Sequence, residues 1–200
     1  MRWMRSPFAW FLLALLTTAG LTAIGPAEAS LGTNVRVVYL HGAWVLAAEA
    51  ALGLAAAAGL LGILFRRQRL QEWSAALGRT GIVFWIIYLP LSLWAMQANW
   101  NGLFLAEPRF RVAFIFAVTG VLLQAGLALL DRAVYTSLAN VLFFCALWIS
   151  LREAGDVLHP PPSPIFSSGN PALLWYFIGL LFVTLVAAFF LTRWWLHRPS

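Results

Sequence analysis

Residues 38–65 read VYLHGAWVLAAEAALGLAAAAGLLGILF, and this stretch decides the fold. Its only acid is Glu49 and its only histidine is His41. A helix needs about 20 apolar residues to cross a bilayer, and this run exceeds that. A helix that is apolar on every face has no side to offer water. The stretch is therefore read as a membrane span.

Working outward, five more apolar runs appear, at 7–25, 80–97, 110–130, 133–151 and 171–195. The expected fold is all-α: a bundle of six transmembrane helices forming one integral membrane domain over residues 1–200. Composition agrees. The chain is 62% hydrophobic and only 10% charged, more apolar surface than a soluble domain of this size covers. Asp131 and Arg132 alone separate the fourth and fifth runs, which makes a tight helical hairpin. An aromatic loop is expected over 98–109. A longer loop over 152–170 holds Pro160, Pro161, Pro162 and Pro164, and no helix continues through such a cluster.

The pI of about 10.7 does not signal nucleic acid. All the basic residues are arginines in short gaps between apolar runs, the pattern of topology signals. With the N-terminus inside, Arg2, Arg5, Arg66, Arg67, Arg69, Arg79, Arg132, Arg193 and Arg198 lie on the inner side. Arg36, Arg109, Arg111 and Arg152 lie outside. The excess favours an N-in, C-in chain. The first run also resembles a signal peptide, with Ala27-Glu28-Ala29 as a cleavage site. The single cysteine, Cys145, has no internal disulfide partner, and no C-x-x-C-H occurs, so the chain is not itself a c-type cytochrome. Gly53, Ala57, Gly59 and Gly62 are small residues of the kind that let helices approach closely in lipid.

In this topology His41 and His159 both reach the outer surface, whereas His197 belongs to the inner one. Two imidazoles are too few for a closed zinc site but suffice as the axial ligands of a haem iron. The bland alternative is a pair of solvated interfacial side chains. Trp44 follows His41 by one helical turn. The stretch Trp94 to Arg109 is apolar and aromatic, with Trp100 and Phe104 on it, and suits either a bound ligand or an interfacial aromatic belt. Arg36, Arg109 and Arg152 suit carboxylates such as haem propionates, or lipid headgroups. Glu49 is the one acid deep within a span and is a functional candidate on that ground; hydrogen bonding to Gln124 or Asn140 is the structural alternative. No nucleophile–base constellation and no phosphate-binding glycine loop is present, so bond-making catalysis is not expected.

The order of these features resembles the cytochrome c assembly family of haem-handling membrane proteins, over about residues 5–195. The nearest likeness is to its six-helix haem-delivery branch in the system I maturation pathway. Tyr39-Leu40-His41-Gly42-Ala43-Trp44 and Val157-Leu158-His159-Pro160 stand where that family carries its two axial haem ligands. Its tryptophan-rich loop, W-G-x-W-W-x-W-D-x-R, aligns without a gap from Trp100 to Arg109. Trp100 and Arg109 match. Glu107 stands where the family has Asp, and Leu103, Phe104 and Ala106 where it has Trp, so much of the aromatic platform is replaced.

The resemblance implies transient binding of haem b by His41 and His159, with Trp44, Trp100 and Phe104 against the haem and Arg36, Arg109 and Arg152 at its propionates. It implies a bacterial cytoplasmic membrane location with haem at the outer face. It also implies a haem chaperone and ABC transporter subunits as partners. The competing readings are a cofactor-free structural subunit that keeps the fold, a proton-relay or transport element centred on Glu49, and a haem protein that retains its haem for electron transfer.

Overall fold

The computed structural model describes residues 6–155, 165–166 and 169–197. Six helices follow one another: α1 (Pro7–Ala23), α2 (Val35–Leu64), α3 (Gln68–Trp100), α4 (Pro108–Leu130), α5 (Ala133–Glu153) and α6 (Pro171–Leu196). No named strand occurs among the described residues. Helices α2 to α6 are long and apolar enough to cross a membrane. Helix α1, at 17 residues, spans about 25 Å and sits at the short limit for a crossing. The chain is an all-α polytopic membrane protein.

The clearest difference from the sequence reading is α3. It begins at Gln68, not near residue 80. Residues 68–79 contain Arg69, Glu72 and Arg79, so apolarity ends there while the helix does not. At 33 residues α3 extends about 50 Å, well beyond the hydrocarbon layer. The α2–α3 connection is correspondingly tight and turns at Arg66, whose φ is +51°. At its other end α3 runs on to Trp100, and the aromatic loop shrinks to 101–107. The α4–α5 hairpin is as short as expected, with Asp131 in the left-handed region at φ +45°.

Helix α2 is the hub and touches α1, α3, α5 and α6; α3 adds α4. Lipid supplies little hydrophobic drive for helices to associate, so close fit and interhelical hydrogen bonds carry the packing. Both are present. Trp44 stacks on Phe84 with ring centroids 4.7 Å apart, and its indole N–H donates to the Phe84 carbonyl at 3.0 Å. The Trp85 indole donates to the Ala113 carbonyl at 2.9 Å, tying α3 to α4. The Thr192 hydroxyl donates to Thr80 at 2.9 Å, tying α6 to α3.

A polar cluster locks the half of the bundle that carries the α2–α3 turn. Asn140 donates to the Ser74 carbonyl at 2.9 Å, Ser74 donates to the Ala55 carbonyl at 2.7 Å, and Gln124 donates to Asn140 at 3.3 Å. Gln124 and Asn140 therefore serve each other and α3, not Glu49. Gly59 lies against Ser74 and the Ser137 backbone, and Gly62 against Gln71. Gly53 lies against the Phe144 ring, whereas Ala57 faces outward.

At the opposite end the Glu28 carboxylate closes the α1–α2 turn. It accepts from the Ser30 hydroxyl, the Ser30 N–H at 2.8 Å and the Leu31 N–H at 2.9 Å. These bonds, the serine hydroxyl first, hold its carboxyl below the usual carboxylate range.

Candidate functional site

The candidate site lies where α2 begins, α3 ends, α4 begins, and α5 and α6 border their connection. Several bonds gather that end. Asn34 donates to the Ala98 carbonyl at 2.9 Å, joining the start of α2 to the end of α3. Tyr176, near the start of α6, donates to the Leu21 carbonyl at 2.8 Å. Arg36, in the first turn of α2, donates through Nε to the Gly25 carbonyl at 2.8 Å.

His41 sits two turns into α2, not at its start, and is half-buried. Its ring lies against Tyr88 of α3, with centroids 4.9 Å apart and planes inclined by 31°. Tyr88 is itself buried and lies within electrostatic reach of Glu49, Glu107 and Arg109. A ring packed on an imidazole fixes its rotation about χ2, which is what a ligand residue requires. Gly42 exists for a packing reason. A Cβ there would stand 3.3 Å from the Phe177 ring and 3.9 Å from Ile165. The chain downstream of the proline cluster thus returns to lie beside His41, because Ile165 joins Val35, Tyr39, Ala43, Leu173 and Phe177 in one apolar cluster.

His159 lies outside the described residues, as does the whole proline cluster. The described ends of that connection, Gly155 and Ile165, belong to the same end of the bundle as His41. Helix α5 runs antiparallel to α2: Gly59 meets Ser137, Gly53 meets Phe144, and Leu46 shares a groove with Trp148.

The other expected site residues separate into two kinds. Trp44 is buried in the α2–α3 contact, one ring face covered by Phe84 and its N–H used. Trp100 is the half-buried last residue of α3, not a loop residue. Phe104 is 42% exposed, and Leu103 and Leu105 beside it are more so. Arg109 is the half-buried second residue of α4 and lies within electrostatic reach of Glu49. Arg152 is exposed at the end of α5, its guanidinium 4.7 Å over the Trp148 ring. Arg36, His41, Trp100 and Arg109 thus share one end of the bundle.

Glu107, the acid in the family-like loop pattern, has a local task. It is buried and its carboxylate accepts from the Phe110 N–H, capping α4. A carboxylate at a helix N-terminus also meets the positive end of the helix dipole. Sequence reading missed Tyr88 and the Ile165–Phe177 seat. A tyrosine two residues before Pro90 in an otherwise apolar span was the one available signal for the first. Nothing in sequence pairs Ile165 with Gly42.

Among the described residues no group of three His, Cys, Asp or Glu stands close enough to hold a metal ion. No family model, curated protein or solved structure matches the chain.

Proposed function

We propose that this membrane protein binds haem at the end of the bundle that carries His41 and passes it on, as a haem-delivery member of the cytochrome c assembly family. The observation that carries this reading is the seating of His41. A half-buried imidazole is braced by Tyr88, at the end where Arg36, Arg109 and Trp100 also gather. His41 and His159 would be the axial ligands. Trp100 and Phe104 would offer aromatic surface, and Trp44 would support His41 from below through its grip on α3. Arg36, Arg109 and Arg152 would meet the propionates, since guanidinium pairs well with carboxylate. Iron held between two imidazoles would stay six-coordinate until one ligand leaves. His41 is helix-borne and braced, so His159 would be the ligand to release.

The role is binding and hand-over of haem b, without bond-making chemistry. The orientation is N-in and C-in by the arginine distribution, in the bacterial cytoplasmic membrane, with the haem end outward. A haem chaperone and ABC transporter subunits would be the partners. The replaced tryptophans at Leu103, Phe104 and Ala106 imply a partner surface that differs from the usual platform.

Delivery is separated from permanent retention by a transfer measurement. Haem-loaded protein in detergent is mixed with excess apomyoglobin, and the acceptor's Soret band is followed. The expected result is complete transfer, faster for His159→Ala than for wild type. Haem that stays on the wild-type protein would instead mark an electron carrier.

A further inference from the structure

Glu49 occupies a position that the haem reading leaves unused. It lies fourteen residues into the 30-residue α2, about 21 Å along the axis and so near the middle of the membrane. It lines a groove of about 490 Å³ between α2 and α5 with Ala50, Gly53, Leu54, Phe144 and Trp148. Leu54 and Trp148 are well exposed, so the groove opens outward from the bundle. Arg109 lies within electrostatic reach, yet no hydrogen bond from a described residue reaches the Glu49 carboxylate. An unsatisfied carboxylate facing hydrocarbon is costly, and ionisable groups at that depth pair with one another.

We infer that this groove seats a transmembrane helix of another protein, one that carries a lysine or arginine at mid-depth to pair with Glu49. Three observations select that occupant. Acyl chains carry no hydrogen-bond donor, and lipid headgroups stay at the surface, so a donor at this depth must arrive on a membrane-spanning segment. Small residues on that side of α2, Ala50 in the groove and the exposed Ala57, permit close backbone approach. A second copy of this chain is a poor match. Arg36, Arg69, Arg109, Arg111, Arg152 and Arg193 lie within four residues of their helix ends, and Arg79 lies on the stretch of α3 where apolarity has ended, so none of these stands at mid-depth. Two-fold pairing would set Glu49 against Glu49. The groove serves this role with or without haem at the end of the bundle.

The test uses the full chain, donor-labelled at its N-terminus, in phosphatidylcholine vesicles without haem. Acceptor-labelled Leu/Ala peptides of about 20 residues carry either a single central lysine or a leucine there. Energy transfer should report binding of the lysine peptide about tenfold tighter than the leucine peptide. Glu49→Gln, which keeps the shape, should erase that preference. Ala50→Phe, which fills the groove and keeps Glu49, should weaken both peptides. Equal binding of the two peptides to wild type would overturn the assignment, as would a lysine preference that survives in Glu49→Gln. Self-association that the lysine peptide fails to displace would overturn it in favour of a second copy.

Discussion

Replacing His41 with leucine raises the haem dissociation constant by roughly 100-fold or more, since even loss of a residue that merely orients a ligand commonly costs 10–100-fold. The substitution is chosen so that folding stays intact. His41 is half-buried two turns into α2, leucine approximates its volume, and its packing against Tyr88 tolerates an aliphatic side chain. Tyr88→Leu tests the brace separately and should weaken binding by about tenfold, because the imidazole remains while its orientation loosens. Haem quenches tryptophan emission, and the chain has 11 tryptophans, so a fluorescence titration reads both constants. Near-UV circular dichroism checks that each variant keeps its packing. Unchanged haem affinity in His41→Leu would remove His41 from the site.

Replacing Gly59 with alanine destabilises the bundle by about 1–3 kcal/mol, the usual cost of overpacking. The opposite sign is the default, because alanine in place of a helical glycine gains about 0.5–1 kcal/mol. Geometry decides which effect wins. A Cβ on Gly59 would lie 2.9 Å from the Ser137 carbonyl oxygen and 3.2 Å from its Cα. Those are backbone atoms, so α5 itself has to move. The same shift strains the bond from Ser74 to the Ala55 carbonyl, because the Ser74 hydroxyl is 2.8 Å from the new methyl. Gly179 in α6 is the control, with nothing within 4 Å of its added Cβ, and Gly179→Ala should be neutral or mildly stabilising. Thermal unfolding in one detergent, followed by circular dichroism, ranks the two. A Gly59→Ala variant that melts above wild type would mean that α2 and α5 pack less closely than described.

Much of the fold was legible because lipid imposes a simple rule: every span must be apolar and helical. The run at 38–65 and its five companions follow from that rule. What failed was the start of α3, where the apolar signal stops at the membrane surface while the hydrogen-bonded helix continues to Gln68. The same cause moved Trp100 from a loop into a helix.

At the site, His41 was legible as a lone imidazole near one end of a span. Its partner Tyr88 was not, since forty-odd residues separate them and only the antiparallel pairing of α2 with α3 joins them. Trp44 was legible as a neighbour of His41, but its indole N–H turns out to serve the Phe84 carbonyl, an interhelical use that spacing alone does not reveal. Gln124 and Asn140 were plausible partners for Glu49 by polarity. Gln124 donates instead to Asn140, and Asn140 to Ser74 of α3, so neither serves Glu49 in its groove.

The central claim, haem held between His41 and His159, meets its most direct test in an absorption spectrum. The protein is expressed with ample haem, purified in detergent, and compared with His41→Ala and His159→Ala. The account predicts a sharp Soret band with low-spin, six-coordinate features in wild type, lost or shifted in each variant. A wild-type protein that is folded and monodisperse yet takes up no haem, even on reconstitution, would contradict it and leave a structural membrane subunit as the better account.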